Sequence, residues 1–291
     1  MIIIGCSHGK YLAQKIAKKL KVPYSDLKVK KFPDNEIGVR FMNNVRGKVV
    51  VLVQSFYGNV NDCVVEVLFA AETAKDLGAK KVILVAPYLP YMRKDKRYES
   101  GECISCIAIA GIISKSLDRV YVVDPHLHKD IKLSKLFSIK SVELTSNHYI
   151  IDYIKRNIKN PLIVGPDKGS LGMVKIISGK LKCKYMIMEK ERISSSKVKV
   201  RINKKINLND KNIVFVDDII STGNTILESV KVLKKFGVKK FDCIAVHGIL
   251  VENALEKLRK AKVKVVTTNT IPNNVAKIDI SGLIAEALKN N

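Results

Sequence analysis

Tryptophan is absent from the chain, aromatic residues make up only 6% of it, and 16 glycines and 8 prolines are spread over 291 residues. So few rings cannot supply stacking platforms for a single-stranded nucleic acid. So little glycine and proline excludes collagen-like and low-complexity architectures. No uninterrupted apolar run exceeds five residues, the length of Val49–Val53, whereas a membrane-spanning helix needs roughly 20. No membrane partner is therefore expected. The opening Ile2-Ile3-Ile4-Gly5-Cys6 superficially resembles a lipoprotein cleavage site. It has no basic leader, and its apolar run is shorter than the roughly 7 to 15 residues of a signal peptide, so it reads as a first β-strand.

Cysteine is sparse as well. Cys6, Cys63, Cys103, Cys106, Cys183 and Cys243 are dispersed through a long chain, unlike the dense framework of a small secreted domain, which points to a reducing cytoplasm. Cys103 and Cys106 have metal-like spacing, but no second pair accompanies them. Their place at the start of an apolar helical pattern makes them two neighbours on one helix face.

Acidic residues are the remaining shortage: 27 Asp and Glu face 52 Lys and Arg, a formal charge of +25. An excess of that size favours anionic partners. The cations are scattered along the whole chain rather than gathered into an arm. They are assigned to solvated faces and to phosphate-handling loops, and no nucleic-acid partner is expected.

What the chain does have is an ordinary globular composition, 47% hydrophobic and 27% charged. At roughly 100 to 200 residues per domain, its length argues for two. Short apolar runs alternate with amphipathic stretches, the signature of an α/β fold with buried, largely parallel strands. Strands are expected at Ile2–Cys6, Val49–Gln54, Lys81–Ala86, Arg119–Val123, Leu162–Val164, Lys184–Met188, Asn212–Val216, Phe241–Val246 and Lys264–Thr268. Helices are expected at Asn61–Leu77, Ile104–Leu117, Leu171–Leu181, Thr225–Phe236 and Glu252–Lys260. The polar segment Thr145-Ser146-Asn147 marks a boundary, giving domains 1–145 and 146–291. Leu77-Gly78-Ala79-Lys80-Lys81 and Phe236-Gly237-Val238-Lys239-Lys240 echo each other across it, each with glycine at a helix C-cap.

The most informative segment runs from Ile213 to Thr225. A buried strand delivers Asp217 and Asp218, and a small-residue loop, Ser221-Thr222-Gly223-Asn224-Thr225, then opens a helix. Loop N–H groups, three hydroxyls and the positive end of the helix dipole converge there into a monophosphate site. The carboxylates stand ready to accept hydrogen bonds from sugar hydroxyls. A phosphorylated ribose meets both requirements. A bare helix cap and a solvated strand end would not require two acids after four apolar residues and before Ser-Thr-Gly-x-Thr. This segment resembles the phosphoribosyl-pyrophosphate loop of the phosphoribosyltransferase fold. No Gly-x4-Gly-Lys-Ser/Thr pattern occurs, so other devices must hold any nucleotide.

Other loops add to it. Phe32-Pro33-Asp34-Asn35-Glu36 offers a ring face and two carboxyls suited to an adenine. Arg93-Lys94-Asp95-Lys96-Arg97 puts four cations within five residues, apt for a polyphosphate. Asp124-Pro125-His126-Leu127-His128 ends a strand with groups able to ligate or orient hydrated magnesium. In Gly165-Pro166-Asp167-Lys168-Gly169-Ser170, N–H groups can cradle pyrophosphate while Asp167 reaches its metal. Glu189-Lys190-Glu191-Arg192 leaves a further strand and precedes the polar stretch 193–197, which reads as a mobile lid. Ligands of open α/β sheets bind at the carboxyl ends of strands, where these five loops lie.

As a set, Phe32–Glu36, Tyr91–Arg97, Asp124–His126, Pro166–Ser170, Lys190–Arg192, Asp217–Thr225, Val246–Gly248 and Thr268–Pro272 resemble the ribose-phosphate diphosphokinases, the phosphoribosyl-pyrophosphate synthase family. The resemblance covers nearly the full chain, and its motif variants look most like archaeal members. It implies two similar phosphoribosyltransferase-like domains, each a mostly parallel sheet flanked by helices, with ATP on the N-terminal side and ribose 5-phosphate on the C-terminal side. It also implies Mg2+-dependent transfer of the diphosphoryl group of ATP to O1 of ribose 5-phosphate, releasing AMP. By the same resemblance Phe32, Asp34, Asn35 and Glu36 contact adenine, Arg93 and Lys94 contact the nucleotide phosphates, and His126 and Asp167 position Mg2+. Ser221, Thr222, Gly223, Asn224 and Thr225 hold the 5-phosphate, and Asp217 and Asp218 the ribose hydroxyls. Lys190 and Arg192 act on the phosphorus under attack, with Arg192 also on the sugar phosphate side.

Two residues depart from the family pattern. Lys94 stands where glutamine is usual, and Cys103 where proline is common. Neighbouring subunits commonly complete the adenine site in the family, so a homo-oligomer is implied. The alternatives are a purine or pyrimidine phosphoribosyltransferase, a non-catalytic regulatory subunit of a synthase complex, and a nucleic-acid-binding protein. The first would not need the Phe32–Glu36, Arg93–Arg97 and His126 set, and retention of Lys190, Arg192, His126 and Asp167 argues against the second.

Overall fold

A computed structural model of the chain describes every residue except 128–130, 193–197, 203–207, 209–210 and 290–291; for 189–192 and 198–202 it describes the backbone alone. The chain divides into two compact units, Met1–Thr145 with Ile280–Asn291, and Ser146–Asp279.

The first unit contains β1 (Ile2–Gly5), α1 (Lys10–Leu20), β2 (Tyr24–Lys31), β3 (Ile37–Phe41), β4 (Val49–Val53), α2 (Val60–Asp76), β5 (Lys81–Ala86), α3 (Ser105–Ser116), β6 (Arg119–Val123), α4 (Leu133–Leu136) and β7 (Lys140–Leu144). Its strands form one sheet in the order β3-β2-β1-β4-β5-β6-β7. All neighbours are parallel except the β2–β3 hairpin. Strand side chains alternate between faces. One set, including Ile4, Leu52, Leu84 and Val122, packs against Val67 and Ala70 of α2 and Ile109 and Ile113 of α3. The other set, Ile3, Val51, Ile83 and Val123, is equally buried. Burial on both faces is why these strands read as continuous apolar runs.

The second unit contains α5 (Asn147–Asn157), β8 (Pro161–Gly165), α6 (Leu171–Leu181), β9 (Tyr185–Arg192), β10 (Val198–Ile202), β11 (Asn212–Ile220), α7 (Asn224–Lys234), β12 (Phe241–Gly248), α8 (Ala254–Lys260), β13 (Val263–Thr268) and β14 (Ala276–Ile278). The chain then continues into α9 (Ser281–Lys289). Its sheet runs β10-β9-β8-β11-β12-β13-β14, with only β9–β10 antiparallel. One face buries Leu162, Phe215 and Ala245 against Ile226, Val230 and Leu233 of α7 and Leu258 of α8.

The two sheets share one strand order, position for position. The sequence echo falls at matching places between helix and strand, with Gly78 at φ 80° and Gly237 at φ 81°, the left-handed conformation that glycine adopts without strain.

Residues 280–291 correct the expected C-terminal domain. Helix α9 packs on α1 and β7, burying Ile284, Ala285 and Leu288, so it covers a face of the first sheet that α1 alone leaves bare. Strands β2 and β3, flanking the turn at Phe32–Glu36, had no bounds assigned from the sequence. They lie at a sheet edge, where the Lys-rich β2 buries only Ser25 and Leu27.

Candidate active site

In the second unit β8 and β11 are parallel neighbours with Phe215 opposite Val164. Asp217 follows two residues after Phe215 and Asp167 three after Val164, so both leave the same sheet edge. The Asp167 Oδ1 accepts the Gly169 N–H at 2.9 Å and its carbonyl accepts the Ser170 hydroxyl at 2.8 Å, which forms a tight 3-10 turn ahead of α6. Gly165 permits that turn: a Cβ there would lie 2.4 Å from Ser170 Oγ and 2.6 Å from Ile187 Cδ1.

Asp218 donates its N–H to Asp217 Oδ1 at 3.1 Å. Burial pushes the Asp217 carboxyl well above the usual carboxylate range, and the charges of Asp218 and Asp167 add to the effect. Three mutually repelling carboxylates at one strand edge are relieved by a cation or by hydroxyl donors. Among the described residues no three His, Cys, Asp or Glu side chains are grouped to hold an ion by themselves. Magnesium suits such a site, because it takes one or two carboxylates and completes its shell with water and substrate phosphates.

Beyond β11, Ser221 and Thr222 are half-buried and Gly223, at φ 74°, turns the chain into α7. Its Cβ position is 3.2 Å from Leu258 Cδ1, so the loop lies directly on α8. The Ile220 carbonyl accepts from the N–H of both Ile249 (3.0 Å) and Leu250 (3.1 Å). Leu250 reaches it from a left-handed φ of 54°, a strained conformation for a leucine. The loop before α7 is therefore braced by the segment that follows β12. The first turn of α7, with Asn224 exposed and Thr225 half-buried, brings N–H groups and the positive end of the helix dipole to that loop. Beside it, buried His247 Nδ1 lies 3.0 Å from Thr270 Oγ1, and the hydroxyls of Thr268 and Thr270 both donate to the Val246 carbonyl.

Lys190 and Arg192 are not in a loop after a strand. β9 continues through Arg192 because β10 pairs with it, Val200 opposite Lys190 and Val198 opposite Arg192. Ile187 lies opposite Gly165, so both residues sit on an extension of β9 past the sheet edge. The expected lid at 193–197 lies outside the described residues.

The first unit carries the other candidates at the same edge of its own sheet. Phe32, Asp34, Asn35 and Glu36 form the β2–β3 turn, closed by Phe32 N–H to the Glu36 carbonyl (2.8 Å) and Asn35 N–H to the Phe32 carbonyl (3.0 Å). All four are exposed, Asn35 has φ 72°, and the Lys30 ammonium lies 4.7 Å from the Phe32 ring centre. After β5, Arg93 is exposed, whereas Lys94 is tied to Glu102 at 2.5 Å. Lys94, together with the N–H groups of Tyr98 and Glu99, lowers the Glu102 carboxyl to about 2. Glu102 therefore organises this basic loop, a role sequence reading missed although it is among the few acids there. His126 is exposed after β6, and its neighbour His128 lies outside the described residues.

The shared strand order shows what distinguishes the halves. Gly5 is opposite Val53 in the first sheet, as Gly165 stands beside Val216 in the second. Ser7, Gln54 and Ser55 thus take the places of Asp167, Asp217 and Asp218. They are satisfied internally: Gln54 accepts from His8 N–H (2.9 Å) and donates to Ser7 Oγ (3.2 Å), and buried Glu66 accepts from Ser7. Only the second unit keeps the carboxylates and the Ser-Thr-Gly-x-Thr loop.

Two family models match the chain: the N-terminal domain of ribose phosphate pyrophosphokinase over residues 1–116, and the phosphoribosyl transferase domain over residues 132–281. Ribose-phosphate pyrophosphokinases from Methanothermobacter thermautotrophicus and Saccharolobus solfataricus are each 36% identical over 99% of this chain and 100% of their own length. The crystal structure of phosphoribosylpyrophosphate synthetase from Mycobacterium smegmatis superposes with a TM-score of 0.86 at 24% identity, covering 99% of this chain and 97% of that one.

Proposed function

The chain belongs to the ribose-phosphate pyrophosphokinase family, and from that premise we propose that it transfers the diphosphoryl group of ATP to O1 of ribose 5-phosphate. The sugar O1 attacks the β-phosphorus, the bond from that phosphorus to the α,β-bridging oxygen breaks, and AMP leaves with the oxygen. The observation that carries this reading is the Asp167–Asp217–Asp218 group beside the braced loop Ser221–Thr225. Phosphoryl-type transfer rests on positioning and on cations matched to developing charge rather than on covalent chemistry.

In this scheme the Ser221–Thr225 loop and the start of α7 take the 5-phosphate, and Asp217 and Asp218 accept from the ribose hydroxyls. Asp167 and His126 would hold Mg2+, which would supply charge neutralisation to the phosphates. Phe32, Asp34, Asn35 and Glu36 contact adenine, Arg93 and Lys94 the nucleotide phosphates, and Lys190 and Arg192 the phosphorus under attack. The enzyme acts in the cytoplasm as a homo-oligomer. No helix of the described residues is long and apolar enough to cross a membrane.

The test is AMP formation measured with and without ribose 5-phosphate and magnesium. AMP release that needs both supports the scheme. Release of pyrophosphate from phosphoribosyl pyrophosphate and a free base, without use of ATP, would replace it with a phosphoribosyltransferase.

A further inference from the structure

The second sheet has two edges of opposite character. Asp167, Asp217 and Asp218 leave one of them. At the other, the parallel strands β9, β8, β11, β12 and β13 lie side by side in that order, and the chain enters them past Lys184, Lys159, Lys211, Lys240 and Lys262 respectively. The described residues leading into these strands are 158–160, 182–184, 208, 211, 235–240 and 261–262, of which 8 in 16 are lysine and none is acidic. Across the chain Lys and Arg together make up 52 of 291 residues, so compositional bias does not account for the row. Neighbouring strands lie about 4.8 Å apart, and four such steps give the row a length of roughly 19 Å. Its middle is tied together, because Lys211 Nζ donates to Asn160 Oδ1 and Asn212 Nδ2 to the Lys159 carbonyl. Where β11 and β12 are entered, a cavity of about 580 Å3 opens, walled by Lys211, Asn212, Phe236, Val238, Lys239 and Lys240.

The chemistry of the row selects its occupant. All eight lysines except half-buried Lys211 are exposed, and none is ion-paired within the described residues. Cations held at such spacing repel one another, and an anion that spans several of them relieves the repulsion. An ammonium group only donates, so its matching partner is one that accepts along its length. A single-stranded nucleic acid would need rings for its successive bases. Phe236 is the one ring in the cavity wall. We propose that this edge of the second sheet binds linear inorganic polyphosphate, whose chain of anionic phosphates offers acceptors throughout and presents no base or sugar to be read. The site lies at the edge opposite the carboxylates and rests on none of the transfer chemistry proposed above.

Calorimetric titration of the full chain with inorganic polyphosphate tests it. Binding is expected to persist in saturating ATP and ribose 5-phosphate, and to weaken steeply as salt rises. Lys239→Gln with Lys240→Gln is expected to cost roughly tenfold or more in affinity and to lower the slope of log affinity against log salt by about 2, one per cation removed. Lys159→Gln with Lys184→Gln is expected to act alike. Lys18→Gln with Lys19→Gln takes the same charge from α1, and is expected to change affinity by no more than about threefold, since dispersed charge acts only through a screened field. Phe236→Ala is expected to change nothing. Equal losses from the α1 pair and the row pairs would show attraction to net charge alone and overturn the proposal. Complete displacement by ATP overturns it too, as does the absence of binding. Single-stranded RNA that binds more tightly than polyphosphate, with a loss on Phe236→Ala, replaces the occupant with nucleic acid. Row variants that lose polyphosphate and keep AMP formation support the site and leave the catalytic scheme standing. Polyphosphate bound by a chain that forms no AMP leaves this site standing without that scheme.

Discussion

The carboxylate of Glu66 accepts the Ser7 backbone N–H at 2.7 Å and the Ser7 hydroxyl at 2.5 Å. Ser7 stands where Asp167 stands in the second unit, so the first unit ties this position to its own helix α2. Glu66→Ala takes the acceptor from two donors of exposed Ser7 at a partly buried contact, and is expected to lower stability by about 1–2 kcal/mol. Glu66→Gln should cost less, since it keeps an acceptor. Urea denaturation checks both, and a wild-type midpoint for the alanine variant would remove Glu66 from that role.

Asp217 illustrates stability given up for a site. Its carboxyl titrates above its unfolded value, so the folded state binds more protons between the two values and stability falls as pH rises through that window. Asp217→Asn is expected to melt higher than wild type at neutral pH, with the difference vanishing in acid below the ordinary carboxylate range, and to lose synthesis. Thermal melts at the two pH values, with an AMP assay, provide the check. A neutral-pH melting point below wild type contradicts the burial argument.

Gly165→Ala forces a methyl group into Ser170 Oγ and Ile187 Cδ1, and overpacking of this kind costs roughly 1–3 kcal/mol. The turn that orients Asp167 should shift with it. Adding Ser170→Ala should recover part of the stability. Full activity in the single variant would show that the turn has slack.

Glu102→Ala releases Lys94 and leaves the Tyr98 and Glu99 N–H groups to solvent. The basic loop then loses its organiser, and the KM for ATP should rise roughly 3- to 10-fold with little change in kcat. Steady-state kinetics reads this directly. An unchanged KM would mean that Lys94 does not meet the nucleotide.

Lys190→Ala is expected to lose about 100-fold or more of turnover, the scale of removing one transition-state donor, while ATP affinity changes little. Turnover close to wild type in that variant removes Lys190 from the mechanism.

Elements buried on both faces were legible because their composition alone marks them. Val49–Val53 and Lys81–Ala86 could hardly be anything else. The Asp217–Thr225 segment was legible because acids, hydroxyls and glycine occur together in a short window. Strand β2 buries only Ser25 and Leu27 and β3 buries none of its residues fully, so neither makes the continuous apolar run that marks an interior strand. The extension of β9 through Arg192 depends on pairing with β10, a contact no local pattern announces. No local pattern marks Glu66 as a buried acceptor, because its donor Ser7 lies 59 positions away. Leu250 gave no signal at all, since its left-handed turn exists to reach the Ile220 carbonyl.

The return of α9 to the first unit has a consequence for synthesis on the ribosome. β1 through β7 emerge early, yet α1 and β7 await a packing helix encoded some 135 codons after β7 (from Leu144 to Ile280). During that interval the nascent N-terminal half carries a partly uncovered sheet, the kind of surface chaperones bind. Loss of the final helix would therefore injure the half of the molecule translated first.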